Sequence, residues 1–412
     1  MSRCKLSRVI IAKLRIVTSR KPMEFDQWFN AQLNARPIDP IRLAEPVPVA
    51  DLPTPALLLD EARFEANLAR MAQWSKTTGI ALRPHSKMHK CPVIAHRQLA
   101  LGAAGICCAK VSEAEVMQRA GIESILITSP VVDERTITRV SELARKNAQL
   151  IVVVDHPEAV MRLEAALAQR QATLKILIDI DPGLGRTGIA PNEALLALLQ
   201  MIDRDCPHLV FLGLQTYAGH CMHIPEFDKR KSKYQRALAT GAEARNVVER
   251  AGYSVQLMSG GGTGSIDFEA DLGILSELQA GSYAFMDIEY RDIESNNGPT
   301  FEDFSVALTV LVTLISQPKP RTVTVDAGFK SLASDKMPPQ FKDVDGLNYY
   351  WGGDEHGIVA LDNPSRTLQL GDKLELLTPH CDPTVNLHDY YYVVRDGYVQ
   401  ELWPISTRGC SQ

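Results

Sequence analysis

Residues 83–90 read RPHSKMHK and set Lys87 and Lys90 among His85 and His89. A lysine crowded by cations gives up its own proton more readily. It then serves as an amine nucleophile or Schiff-base former. Standing alone, the same octapeptide also reads as a solvated basic turn. His85 and His89 have i, i+4 spacing, which brings two ligands together only on a helix, and Pro84 opposes a helix there.

Three further segments carry candidate chemistry. SGGGTGS (259–265) follows an apolar run, and AGS (280–282) lies in the next one. Tandem glycines let the backbone approach a ligand and aim several N–H groups at one anion, so a phosphate site is expected, with a tight turn as the alternative. PHCDPTVNLHD (379–389) closes a strand-like run and sets His380 and Asp382 two residues apart. On a continuing strand both would point the same way, with Cys381 on the opposite face. Imidazole plus carboxylate is a borderline pair for manganese, zinc, iron or cobalt. QTYAGHCMH (215–223) offers Tyr217, His220 and His223, any of which could be packing residues or a general base. DPGLGRTG (181–188) satisfies G-x-G-x-x-G after a strand, but the following strand ends in Thr216-Tyr217 where a dinucleotide site needs an acid. It is read as a glycine turn presenting Arg186.

The elements that must position these residues alternate short apolar runs with amphipathic stretches. The runs are 54–60, 80–85, 105–110, 124–130, 149–155, 174–180, 209–217, 255–260 and 277–287; 61–74 and 191–205 are typical intervening helices. Apolar strands separated by helices imply a parallel sheet covered on both faces. The runs exceed by one the eight strands of a TIM-like (β/α)8 barrel, and an open doubly wound sheet is the alternative. After about residue 296, strand-like runs continue without a convincing helix. That predicts a separate, mostly antiparallel C-terminal β-domain.

The 412 residues, 45% hydrophobic and 23% charged, suffice for a real core and exclude a largely disordered chain. A net charge of −5 argues against a globally basic nucleic-acid binder. No apolar run approaches the ~18–20 residues of a membrane span. The eight cysteines lack a CxxC pair, which suits a reduced, cytoplasmic chain. Residues 1–22 are basic without an unbroken apolar centre. A targeting segment, an upstream-start artefact before Met23 and an unstructured tail are the alternatives, and no function is assigned.

DxPTPxLLLD (51–60), RPHSKMHK, GICCAKVSEAEV (105–116), SGGGTGS, ELQAGSYAFMD (277–287), VDAGFKS (325–331), DEHG (354–357), HCDPTVNLHD and ISTRG (405–409) occur in this order. By these motifs the chain resembles the D-threonine aldolases and their relatives, the 3-hydroxy-D-aspartate aldolases and eukaryotic-type D-serine dehydratases. These are pyridoxal-phosphate enzymes with an alanine-racemase-type barrel, and the likeness spans about residues 50–410. Residues 1–50 read as an N-terminal extension, basic and poorly ordered at its start and without family counterpart. The resemblance implies a lead-in strand and helix (51–78) whose strand joins the β-domain, a cofactor-binding barrel (79–295) and a metal-bearing β-domain (296–412).

By resemblance, Lys87 forms the Schiff base with pyridoxal 5'-phosphate and Arg186 bonds its phenolic oxygen. Tyr217, Thr263, Gly264, Gly281, Ser282 and Tyr283 are the implied contacts to the cofactor and its phosphate. His380 and Asp382 are the implied ligands of a divalent metal, manganese first, with zinc, cobalt or magnesium as alternatives. His223 takes the position of the catalytic histidine, for which a near-neutral pKa would be suited. Dehydratases resemble His-x-Cys at the metal and aldolases His-x-Asp, so Asp382 favours an aldolase acting on a D-3-hydroxy-amino acid. Dehydration of D-serine or 3-hydroxyaspartate is the alternative, and a non-catalytic cofactor-binding protein the weaker one. The resemblance also implies a homodimer, with neither nucleic acid nor membrane as partner.

Overall fold

The computed structural model describes residues 25–412. The segment 1–22 therefore lies outside the described residues. Phe25–Asn34 forms a helix. Pro37–Gln412 forms one compact unit built on two sheets.

The first sheet is parallel and eight-stranded. Runs such as Ile106–Cys108, Ile125–Ile127 and Ile151–Val154 are wholly buried. That is what a strand covered on both faces demands of its sequence. Between them run helices with an apolar side and a polar start: Asp60, Asp133 and Asn192 each accept a backbone N–H from the first turn of the helix they precede. The sheet curls until its first and second strands meet. Cys107 N–H donates to Pro84 O at 2.9 Å, Ser86 N–H to Cys107 O at 2.8 Å and Ala104 N–H to Leu82 O at 2.7 Å. Inside the closure, Arg83 forms a buried 2.9 Å ion pair with Glu277, so the arginine of RPHSKMHK is structural.

Two expected strands are much shorter than the sequence suggests. The run 80–85 pairs only over Ala81–Leu82 and the run 277–287 only over Glu277–Leu278. Pro84 has no N–H for a ladder, and the chain beyond Leu278 turns through Gly281 into the short 3-10 helix Ser282–Ala284. Both strands thus release their backbone at the rim where the candidate residues lie.

The second sheet has ten strands, nearly all paired antiparallel. Ala56–Asp60 belongs to it, antiparallel to Leu308–Lys319 and parallel to Tyr390–Arg395. Ile41–Pro48, read from sequence as part of an extension, instead pairs with Tyr398–Pro404. Ile41, Leu43 and Val47 alternate, but Glu45, Pro46 and Pro48 interrupt the run, so its strand signal in the sequence is weak. One helix interrupts this all-β region, Cys381–Val385. No helix among the described residues is long and apolar enough to cross a membrane.

Candidate active site

The barrel rim and one edge of the β-domain enclose a cavity of about 480 Å³. Lys87, Arg186, Tyr217, His223, Thr263, Gly281, Ser282, His380 and Asp382 all line it, together with His85, Lys110, Asp155 and Tyr290. Residues scattered over most of the chain therefore converge on one space. A second cavity, of about 470 Å³, lies between Arg42, Glu61, Arg97, Arg395 and Glu401. Its arginines are paired with its own carboxylates, and it lacks these groups.

Lys87 sits in the turn after the first barrel strand, and its Nζ is 3.6 Å from Asp382 Oδ1. The Asp382 carboxylate raises the Lys87 pKa, outweighing burial. The cluster of lysines and histidines in the sequence predicts the opposite, a lysine depressed by cationic neighbours. That expectation fails because Asp382 outweighs both burial and the lowering by Arg186. Lys90 turns away to a buried 2.6 Å pair with Glu113. Burial also pulls His85 well below its ordinary pKa and His89 down to about 3.

The glycine segment forms one wall. Gly261 has φ +66°, a conformation L side chains rarely adopt. At Gly264 a Cβ would lie 2.2 Å from Met222 O, so a side chain has no room. The Gly264 carbonyl accepts from the buried Arg230 Nε at 3.1 Å, and Thr263 Oγ1 accepts the Tyr283 N–H at 3.0 Å. Thr263, Gly281 and Ser282 face the cavity, whereas Gly264 and Tyr283 are not among its lining. Tyr283 instead buries its ring against Phe304 and accepts from Gln98 Nε2 at 3.1 Å. It braces the wall from behind through its backbone.

DPGLGRTG is filled by its own aspartate: Asp181 accepts the N–H groups of Gly183, Leu184 and Gly185 at 2.8–3.0 Å. The N–H groups a pyrophosphate would need are taken. Arg186 is left at the rim with its guanidinium 5.5 Å over the Tyr217 ring.

On the β-domain side, His380 and Asp382 do come together, but not on a strand. The strand ends at Leu377, His380 is the N-cap of Cys381–Val385, and Asp382 lies in its first turn. Pro379 and Pro383 explain the change, since proline ends a ladder and is tolerated only in a helix's first turn. His380 Nε2 is 3.9 Å from Asp382 Oδ2. The other ring nitrogen, Nδ1, is 2.8 Å from Asp335 Oδ2, a carboxylate–imidazole arrangement that orients a metal-binding histidine. Among the described residues no group of three or more His, Cys, Asp or Glu side chains is poised around a metal. Two protein donors with an outer carboxylate suit a divalent ion that leaves positions open for substrate or water.

His223 completes the cavity. Its Nδ1 is 3.5 Å from Glu289 Oε1, which is itself 3.0 Å from Lys336 Nζ. Its ring lies 4.3 Å from that of Tyr290, and its Nε2 is buried without a hydrogen-bond partner. Burial lowers its pKa to about 4, only partly opposed by Glu289, not to the near-neutral value expected. Asp335, Lys336, Glu289 and Arg230 were absent from the sequence reading. The VDAGFKS motif, four residues before Asp335, was the nearest available signal.

Comparison with known proteins finds two matching family models. Residues 59–288 match the model of the alanine racemase N-terminal domain and 307–394 that of a putative serine dehydratase domain. A D-threonine aldolase of Arthrobacter sp. is 42% identical over 89% of this chain and 95% of its own. The chain belongs to the D-threonine aldolase and 3-hydroxy-D-aspartate aldolase family. A 3-hydroxy-D-aspartate aldolase of Paracoccus denitrificans is 38% identical over 87% of this chain and 93% of its own. The crystal structure of D-threonine aldolase from Filomicrobium marinum superposes with a TM-score of 0.85 at 39% identity, covering 90% of this chain and 99% of that one. The two matched models divide this chain into the barrel and the β-domain, whose residues line the cavity together.

Proposed function

We propose that the protein is a pyridoxal-phosphate- and divalent-metal-dependent aldolase that cleaves D-3-hydroxy-amino acids of the D-threonine type to glycine and an aldehyde. One observation carries the reading: Lys87, His223, His380 and Asp382 line a single cavity. The 42% and 38% identities to named aldolases support it. Lys87 is the amine to hold the cofactor's aldehyde, Arg186 is assigned to its phenolic oxygen, and Thr263, Gly281 and Ser282 to its phosphate. Pyridoxal phosphate, when bound, supplies an electron sink for the charge left at Cα. A divalent metal on His380 and Asp382, when bound, acidifies and orients the substrate hydroxyl, and the carboxylate donor favours manganese over a softer ion.

His223 Nε2, neutral at physiological pH because burial lowers its pKa, accepts the hydroxyl proton as general base. The Cα–Cβ bond then breaks, its electrons remain on the Cα side, and the Cβ–O bond becomes the aldehyde carbonyl. Lys87, once its nitrogen is free, is the acid assigned to return a proton to Cα, giving glycine. His223 then gives up the hydroxyl proton to solvent and Lys87 regains one from it, so the net change is one proton moved from the hydroxyl to Cα.

β-Elimination to an oxo acid and ammonia uses the same groups, and the serine dehydratase model matched over 307–394 keeps it as a second reading. Asp382, where the dehydratases resemble a cysteine, favours cleavage. We further read the protein as a cytoplasmic homodimer. Incubating the cofactor-loaded protein with D-threonine, with and without manganese, and weighing the products tests the proposal. Metal-dependent glycine plus acetaldehyde is the expected outcome. An oxo acid with ammonia would transfer the protein to the dehydratase reading.

A further inference from the structure

Asp287 is a fully buried carboxylate that the proposed chemistry does not use. Its two oxygens go to two different elements. Oδ1 accepts the Tyr290 N–H at 3.0 Å, capping the short helix Ile288–Arg291, and Oδ2 accepts the Cys381 N–H at 2.8 Å, at the start of Cys381–Val385. Three more bonds run between the same two segments: Ile288 N–H to Thr378 O at 3.1 Å, Glu289 N–H to Pro379 O at 3.4 Å and Cys381 Sγ to Met286 O at 3.4 Å. Met286, just before the carboxylate, has φ +52°. That conformation is uncommon for a non-glycine residue and persists where its surroundings hold it.

The two capped segments carry the two halves of the candidate chemistry. Ile288–Arg291 bears Glu289, 3.5 Å from His223, and Tyr290, whose ring lies 4.3 Å from the same imidazole at a tilt of 56°. Cys381–Val385 bears Asp382 and is entered through His380. An ionised carboxylate is the side chain that accepts from both N–H groups at once; an asparagine has one acceptor oxygen. We infer that Asp287 is a positioning residue. It fixes the separation between the base His223 and the donor pair His380–Asp382, so that both address one substrate hydroxyl. This rests on the function proposed above.

The cofactor-loaded protein and its Asp287→Asn and Asp287→Ser variants test the inference. Serine retains an N-cap acceptor for Tyr290 but is too short to reach Cys381 as well. Both variants are expected to keep full cofactor stoichiometry and to bind manganese about tenfold or more weakly. At saturating manganese kcat for D-threonine should fall at least about tenfold, with KM changed by less than about threefold, since a one-ångström misplacement acts on the reacting geometry. In the wild type, the Ile288, Tyr290 and Cys381 amides, which donate within the clasp, should already be protected from hydrogen exchange before manganese is added. Wild-type manganese affinity and kcat in either folded variant would overturn the inference. Protection that arises only on adding metal would do the same, and this second measurement decides the matter if neither variant folds. A wild type that cleaves no D-3-hydroxy-amino acid would refute the proposed function, while metal affinity and exchange would still judge the clasp.

Discussion

The two sides of the cavity are built by different rules. On the barrel side, each wall is a short contiguous segment leaving a strand end: the Lys87 turn, the Arg186 turn, the glycine loop after Leu257–Gly260 and the Gly281–Ser282 turn. Local backbone chemistry holds them, through glycines with no room for a Cβ and through aspartates or threonines that consume nearby N–H groups. Around the base and the metal pair, each important group is held by a residue remote in sequence. Asp335 holds His380, Glu289 faces His223 and Asp287 ties their two segments together. A phosphate-bearing ring can be gripped by strand ends already fixed by a barrel. A base and a metal pair from two structural parts need cross-links to keep a common geometry.

That contrast can be broken or sharpened by substitution. The largest effect belongs to His223. His223→Gln should retain the cofactor yet lower kcat by about 10²–10⁴-fold, the usual contribution of a positioned general base. Cofactor stoichiometry by absorbance and glycine release by mass check the two halves, and undiminished turnover would remove His223 from the base role. Asp335→Asn comes next. It should weaken manganese binding by about 10–100-fold without changing cofactor affinity, measurable by following free manganese in titrations.

A third effect is on stability. His89 is wholly buried, with its pKa pulled to about 3 mainly by burial, while an unfolded histidine titrates near ~6.5. Between these values the unfolded chain binds the extra proton, so stability falls as pH falls through this window, by at most about 1.4 kcal/mol per pH unit from this group. His85 and His223 add slopes of the same sign. Chemical denaturation at pH 7 and pH 5 should show a shallower loss in His89→Gln than in the wild type; equal losses would exclude this source. The smallest effect is assigned to Tyr283→Phe. Cofactor affinity should be unchanged and stability lower by about 1 kcal/mol, the worth of the hydrogen bond from Gln98. A large loss of cofactor would return the Tyr283 side chain to the site.

The same division explains what was legible in the sequence. The eight-stranded barrel follows from apolar runs spaced by amphipathic helices, and the Lys87 and glycine segments from contiguous residue types. The electrostatics of Lys87 were misread because its dominant partner, Asp382, comes from the far end of the chain. The His380–Asp382 pair was found by spacing yet assigned to a strand, although Asp382-Pro383 is well suited to the first turn of a helix. Asp287 closes the ELQAGSYAFMD motif, but nothing there marks its remote partner Cys381, and Glu289 and Asp335 lie in no motif of their own. Their importance arises only from the fold that brings barrel and β-domain together.

The central claim is that the cavity unites a cofactor half and a separable metal half, both needed for cleavage. The direct test is His380→Ala in the cofactor-loaded protein, with bound cofactor, bound manganese and glycine formation from D-threonine measured on one sample. The account predicts cofactor stoichiometry equal to wild type, loss of specific manganese binding and a fall in glycine formation of about 10²-fold or more. Wild-type glycine formation without bound manganese would contradict it.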